Sequence, residues 1–210
     1  MSTEPATHWR SSTALLILMS IAMPIAFNTW NALLNNFVVE RAAFTGLEIG
    51  ILHSLREVPG FIAFTTVFVL LLIREQTFAV LSLAMLGLGV AATGFFPTVY
   101  GLYFTTIIMS LGFQYFEAGK QSLSLQWLSK DEAPQVLGKL ISVASITSLI
   151  VYGVLWVLLE LFELDYFWNF LIAGTICLGL AIVMWLVYPH FKSKTPQHSH
   201  IVLRKRYWLY

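Results

Sequence analysis

Apolar residues fill this chain in six long blocks, at residues 13–37, 47–73, 78–96, 99–123, 136–159 and 167–188, with the fourth block's helix able to continue to 127. Each block reaches the roughly 20 helical residues needed to cross a bilayer core. Open sheets do not fit such runs, because every backbone group left unpaired in lipid is costly. Nothing between Glu75 and Glu117 is charged, a stretch too long for one crossing. Gly94 and Pro97 mark the turn within it, since proline cannot continue a helix and glycine loosens the backbone. The pattern predicts an all-α polytopic membrane protein with six transmembrane helices. It divides into a tail at 1–12, a six-helix domain at 13–188 and a basic tail at 189–210. The first block is too long for a signal-peptide core and no small-residue cleavage site follows it.

Polar residues interrupt these blocks at helical spacing. In the second, His53, Arg56, Glu57 and Gly60 fall at i, i+3, i+4 and i+7, one face of a helix. In the fourth, Gln114, Glu117, Gln121 and Ser124 repeat the spacing, with Lys120 beside them. In the first, Asn28, Asn31 and Asn35 form a similar stripe beyond a kink expected at Pro24. Ser142, Ser145, Ser148 and Tyr152 give the fifth a milder one. The third and sixth blocks have none. The order polar, polar, apolar therefore occurs twice and suggests a three-plus-three repeat. It places spans 1, 2, 4 and 5 around a wet interior, with spans 3 and 6 facing lipid. At about 1.5 Å per residue, Arg56 lies roughly 14 Å below the outer end of its span and Glu117 roughly 27 Å along its own. The two are not expected to pair.

Each stripe has a plainer reading. Arg56 and Glu57 are neutral together and can act as glue between helices. Glu117 and Lys120 form an ordinary i, i+3 pair, and asparagines hydrogen-bond between spans. His53 suits either proton transfer or helix packing. Glu48 is expected to be solvated at the outer interface. Gly46 and Gly50 form a weak GxxxG packing signal. His198 and His200 in the tail are read as solvated rather than as metal ligands.

Composition agrees with a membrane class. Hydrophobic residues make up 58% and charged residues 11% of the 210 positions, against about 25% charged in an average soluble domain. A net charge of +1 without a basic stripe in the body of the chain argues against a nucleic-acid partner. One cysteine, Cys177, excludes an intrachain disulfide framework. The expected tails and loops on one side hold Arg10, Arg74, Lys130, Lys139, Lys192, Lys194, Arg204, Lys205 and Arg206, and the other side holds Arg41 alone. The positive-inside rule then places both termini in the cytoplasm of a multi-pass protein of the cell membrane, in bacteria the inner membrane. No HExxH, GxSxG or P-loop occurs, and Asp131 and Asp165 fall in loops on opposite sides. No enzyme, cofactor or metal is expected.

The segments LHSLREVPGF (52–61) and GFQYFEAGKQSLSLQW (112–127), with the span order and the basic tail, resemble helices of the major facilitator superfamily. The resemblance covers nearly the whole chain and implies the N-terminal six-helix half of a twelve-helix carrier. The loop LLLIREQTF (70–78) keeps Arg74 and Glu75 but lacks the family's loop glycines, and no arginine precedes Gly112. The family's gate and proton-coupling roles are therefore not carried over. What the resemblance implies is secondary active transport of a small solute by alternating access, with a coupling proton and a bilayer as surroundings. The pathway residues are then expected among Asn28, Asn31, His53, Arg56, Glu57, Gln114, Glu117, Lys120 and Gln121. The cluster Arg204, Lys205, Arg206 ahead of Tyr207, Trp208, Leu209 and Tyr210 looks like the start of a seventh span, so a truncated carrier is expected, or less readily a homodimeric half. The alternative is a six-helix module, or an inactive fragment, that acts through helix–helix assembly without transport.

Overall fold

A computed structural model describes residues 10–192. The expectations about most of the N-terminal tail, about His198 and His200 and about a seventh span fall outside those residues. Among the described residues the chain is all-helical, without strands. Four helices are long and apolar enough to cross a membrane: α1 (Ser12–Ala42), α4 (Glu75–Thr93), α6 (Ala133–Glu160) and α7 (Tyr166–Val187). α5 (Val99–Trp127) has the length but carries the polar stripe of the fourth block. The second block is broken into α2 (Gly46–Phe61), a 3₁₀ turn (Ala63–Thr65) and the short α3 (Thr66–Leu70).

Local chemistry accounts for the boundaries. Ser11 caps α1 by accepting a bond from the Ala14 N–H at 3.1 Å, which satisfies one donor of the first turn. The far end of α1 closes on Ala43 in the left-handed region, at φ 52. The Thr45 N–H and hydroxyl donate to Glu48 Oε2 at 2.7 and 2.8 Å. Glu48, expected merely to be solvated, thus also holds the start of α2. Continuity of the second block was the wrong expectation. Pro59 offers no N–H to the Leu55 carbonyl, and Ile62, Thr65, Thr66 and Val67 then follow as β-branched residues that lose rotamer freedom in a helix. The Thr65 hydroxyl lies 2.6 Å from both the Ile62 carbonyl and Tyr115 Oη. The turn expected at Gly94 and Pro97 is present between α4 and α5, and Thr98 caps α5 through Gly101 N–H at 3.3 Å.

α4 lies between α5 and α7, α1 packs on α6 and α7, and α2 packs on α5. Glycines permit the closest of these approaches. A Cβ on Gly89 would sit 2.6 Å from the Met109 nitrogen of α5, and a Cβ on Gly87 would sit 2.9 Å from the Gly174 carbonyl of α7. α4 is consequently the most enclosed of the four apolar helices, exposing chiefly Leu81 and Leu88. The third block, expected to face outward, is instead mostly packed against other helices, and only that narrow stripe is open. α6 is the most exposed, with Ile146, Leu149, Ile150 and Trp156 open.

The two ends of the bundle are tied differently. At one, Arg41 is paired with Asp165 and Tyr166 donates to Glu40 at 3.0 Å, joining α1 to α7. At the other, Gln76 donates to the Pro189 carbonyl at 3.0 Å and accepts from Phe191 N–H at 3.1 Å. Phe191 also meets Trp127 edge-on. These bonds hold the chain leaving α7 against α4 and α5.

Candidate functional site

The sequence-predicted residues fall into two groups linked by α1. The first lies where α1 faces α2. Arg56 donates from Nε and Nη2 to Glu57 Oε1 at 3.0 and 2.9 Å, and from Nη1 toward Asn31 Oδ1 at 3.4 Å. His53 Nε2 is 3.1 Å from Asn35 Oδ1. The Ser110 hydroxyl of α5 donates to the Arg56 backbone carbonyl. Gln114 stands against Gly60, where a Cβ would come within 3.3 Å of its Nε2. The group is not enclosed: the side chains of Arg56 and Glu57 are 28% and 56% exposed.

The second group lines a cavity of about 950 Å³ between α1, α5 and α6. Asn28, Glu117, Lys120 and Gln121 all reach it, as do Ser145 and Ser148 of α6 and Lys130 of the α5–α6 turn. Asn28 donates from Nδ2 to Ser148 Oγ at 2.7 Å, which ties α1 to α6. The Lys120 ammonium is 3.4 Å from Glu117 Oε1 and 5.8 Å from the Phe116 ring centroid. Ser124 and Ser129 also line it, their hydroxyls donating to the Lys120 carbonyl at 2.9 Å and to Glu132 Oε2 at 2.8 Å, and the remaining wall is apolar. Its wall includes Phe27 and Phe113, stacked across α1 and α5 at 4.2 Å with planes 14° apart.

The interior expected among four helices is therefore lined by three. α2 contributes none of the lining; its His53, Arg56 and Glu57 lie on the α1–α2 surface instead. Arg56 and Glu117 make no bond with each other, as their depths led one to expect, and each instead has a neighbour on its own helix. Sequence reasoning missed the Phe27–Phe113 stack and the part played by Lys130. Phe113 precedes Glu117 by one helical turn, so its face was readable; its partner on α1 was not. Pro24 also lines the cavity. Lacking an N–H, it leaves the Ser20 carbonyl without its helical bond.

Asn28, Asn31 and Asn35 connect the groups. They share one face of α1, and the first and last are separated by about 10 Å along the axis. A polar track thus runs from the Arg56 pair at one level of the bundle to the Glu117–Lys120 pair at another. No protein-family model, curated protein or solved structure gives a significant match to this chain.

Proposed function

We propose that the chain is a six-span bundle of the cell membrane, with both termini cytoplasmic, forming one half of a secondary transporter that works by alternating access. α2 and α3 together supply the second crossing and α5 the fourth, adding to the four apolar helices. The observation that carries this reading is the polar track on α1. Charged groups in mid-membrane cost about 2.5–3.5 kcal/mol each on insertion scales. A half-exposed Arg56–Glu57 pair beside Asn31, Asn35 and His53 is therefore expected to meet water or protein rather than acyl chains. A track of this kind, continuing to a cavity at the opposite level, suits a solute that is handed from one side to the other.

The helix packing supports the three-plus-three repeat of a major-facilitator-type half. Exchanging the first three spans with the last three maps the α1–α6 contact onto α5–α2, α1–α7 onto α5–α4, and α4–α7 onto itself, while the smaller α1–α4 contact has no comparable α5–α7 counterpart. In such transporters the site lies near the midplane and one bundle rocks against the other. Here the partner bundle would cover the α1–α2 surface, and Glu57 or Glu117 would carry the coupling proton. The alternative, a non-transporting assembly module, draws on the open groove along Gly46, Gly50 and Ser54 of α2. A Cβ on either glycine would have nothing within 4 Å.

Cysteine accessibility tests the transport reading. Cys177 is the chain's one cysteine and is buried, so Cys177→Ala gives a clean background. Single cysteines at positions 53, 56 and 57 are expected to react with membrane-impermeant maleimide in cells or inverted vesicles. Failure at all three positions from both sides would place them against lipid and overturn the reading.

A further inference from the structure

We propose that the cavity between α1, α5 and α6 takes an organic anion with an aromatic or otherwise flat apolar body, its carboxylate held by Lys120 and Lys130. The assignment deepens the transport reading and rests on it for its physiological meaning. Charge decides the sign of the ligand. Three charged side chains line the cavity, Glu117, Lys120 and Lys130, leaving an excess of one positive charge. Glu117 and Lys120 offset each other only loosely. Their 3.4 Å separation is longer than the roughly 2.7–2.9 Å of a tight charge-assisted bond. Lys120 keeps further N–H donors, and its side chain is only 17% exposed. Lys130 has no ion-pair partner among the described residues.

The neutral groups favour the same sign. Gln121 and Ser145 line the cavity and can turn donors toward an anion. Ser148 cannot, because its hydroxyl already donates to the Ala144 carbonyl at 2.8 Å while accepting from Asn28. Ala133, at the start of the 28-residue α6, also lines the cavity. The positive end of that helix dipole adds to the field an anion would meet. The rest of the wall selects the body of the ligand. Met23, Leu137 and Ile141 give an apolar surface, and the stacked Phe27 and Phe113 offer an aromatic one.

The test uses the full chain in lipid nanodiscs and three probes of one shape: naphthoate, naphthylmethanol and naphthylmethylamine, titrated by calorimetry at neutral pH. Naphthoate is expected to bind at least about tenfold more tightly than either of the others, the worth of one charge-assisted bond. Lys120→Gln and Lys130→Gln should each weaken naphthoate about tenfold and leave the alcohol unchanged, while Lys120→Arg should restore binding. Lys130 lies in a turn outside the helices, so its variant keeps the test decisive if Lys120→Gln fails to fold. Tightest binding of the amine, no selectivity, no binding of any probe, or unaltered naphthoate affinity in a folded lysine variant would overturn the proposal. The two readings fail separately. Naphthoate binding with unreactive cysteines at 53, 56 and 57 removes transport and leaves the site. Reactive cysteines without anion selectivity remove only the ligand class.

Discussion

The Arg56–Glu57 pair can report its own surroundings. Replacing Arg56 with Ala removes two bonds to Glu57 Oε1, at 3.0 and 2.9 Å, and a weak 3.4 Å contact with Asn31. It leaves the Glu57 carboxylate behind. In a hydrated cleft that carboxylate is solvated, and the loss is that of an exposed ion pair, about 0.2–1 kcal/mol. Against acyl chains the carboxylate is left unpaired in hydrocarbon, and the loss approaches the roughly 2.5–3.5 kcal/mol cost of a mid-membrane charge. The 56% exposure of Glu57 favours the small value if water or a wet interface covers that surface. Arg56→Ala, Glu57→Gln and the double variant form a cycle, read by reversible unfolding through steric trapping in bicelles. The expected result is a loss below about 1 kcal/mol in each single variant, with coupling of similar size. A loss above about 2.5 kcal/mol in Arg56→Ala that Glu57→Gln restores would mean the pair sits in lipid, and the hydrated track would fall with it.

Four further outcomes follow from local geometry, all measurable in the same unfolding assay. Gly89→Ala should destabilise by about 1–3 kcal/mol, because the new Cβ would lie 2.6 Å from the Met109 nitrogen; Gly179→Ala, with nothing within 4 Å of its Cβ, should stabilise by about 0.5–1 kcal/mol through helix propensity alone. Ala43→Gly should stabilise by about 1 kcal/mol, since Ala43 sits at φ 52 at the end of α1, where glycine avoids the Cβ clash. Glu48→Ala should destabilise the start of α2 by removing the acceptor for the Thr45 N–H and hydroxyl, and hydrogen exchange should rise in the first turn of α2.

How much of this molecule could be read in advance depends on which physical question each residue answers. The apolar blocks located the helices because a bilayer crossing needs length and hydrophobicity, and both are local. Pro59 was also visible, but the tolerance of proline inside membrane helices depends on whether neighbours re-satisfy the freed carbonyl. Only the fold shows that the helix passes Pro59 and ends at Phe61. The enclosure of α4 illustrates a deeper limit. A helix packed on protein and a helix facing lipid both require apolar residues, so the absence of a polar stripe could not separate them. The separating signal lay in the small residues. Gly87 and Gly89 of α4 oppose the backbones of α7 and α5, and Gly112 and Gly174 oppose α4 in return, which is how helices approach closely where no hydrophobic force drives them together.

The site was legible by the same division. Spacing fixes which residues share a helix face, and Asn28, Asn31 and Asn35, or Glu117 and Gln121, were recoverable on that basis. It does not fix how each helix is turned toward its neighbours. That rotation brings Asn28 to Ser148 rather than to α2, and Phe27 onto Phe113. It also assigns Arg56 to an outer surface and Glu117 to a cavity. Two ionic pairs that the sequence separated only by depth thereby fall in different surroundings. In the proposed transporter the open pair at α1–α2 would meet a second bundle. The looser Glu117–Lys120 pair, in a largely apolar cavity, would on the same proposal exchange its internal contact for one with a solute.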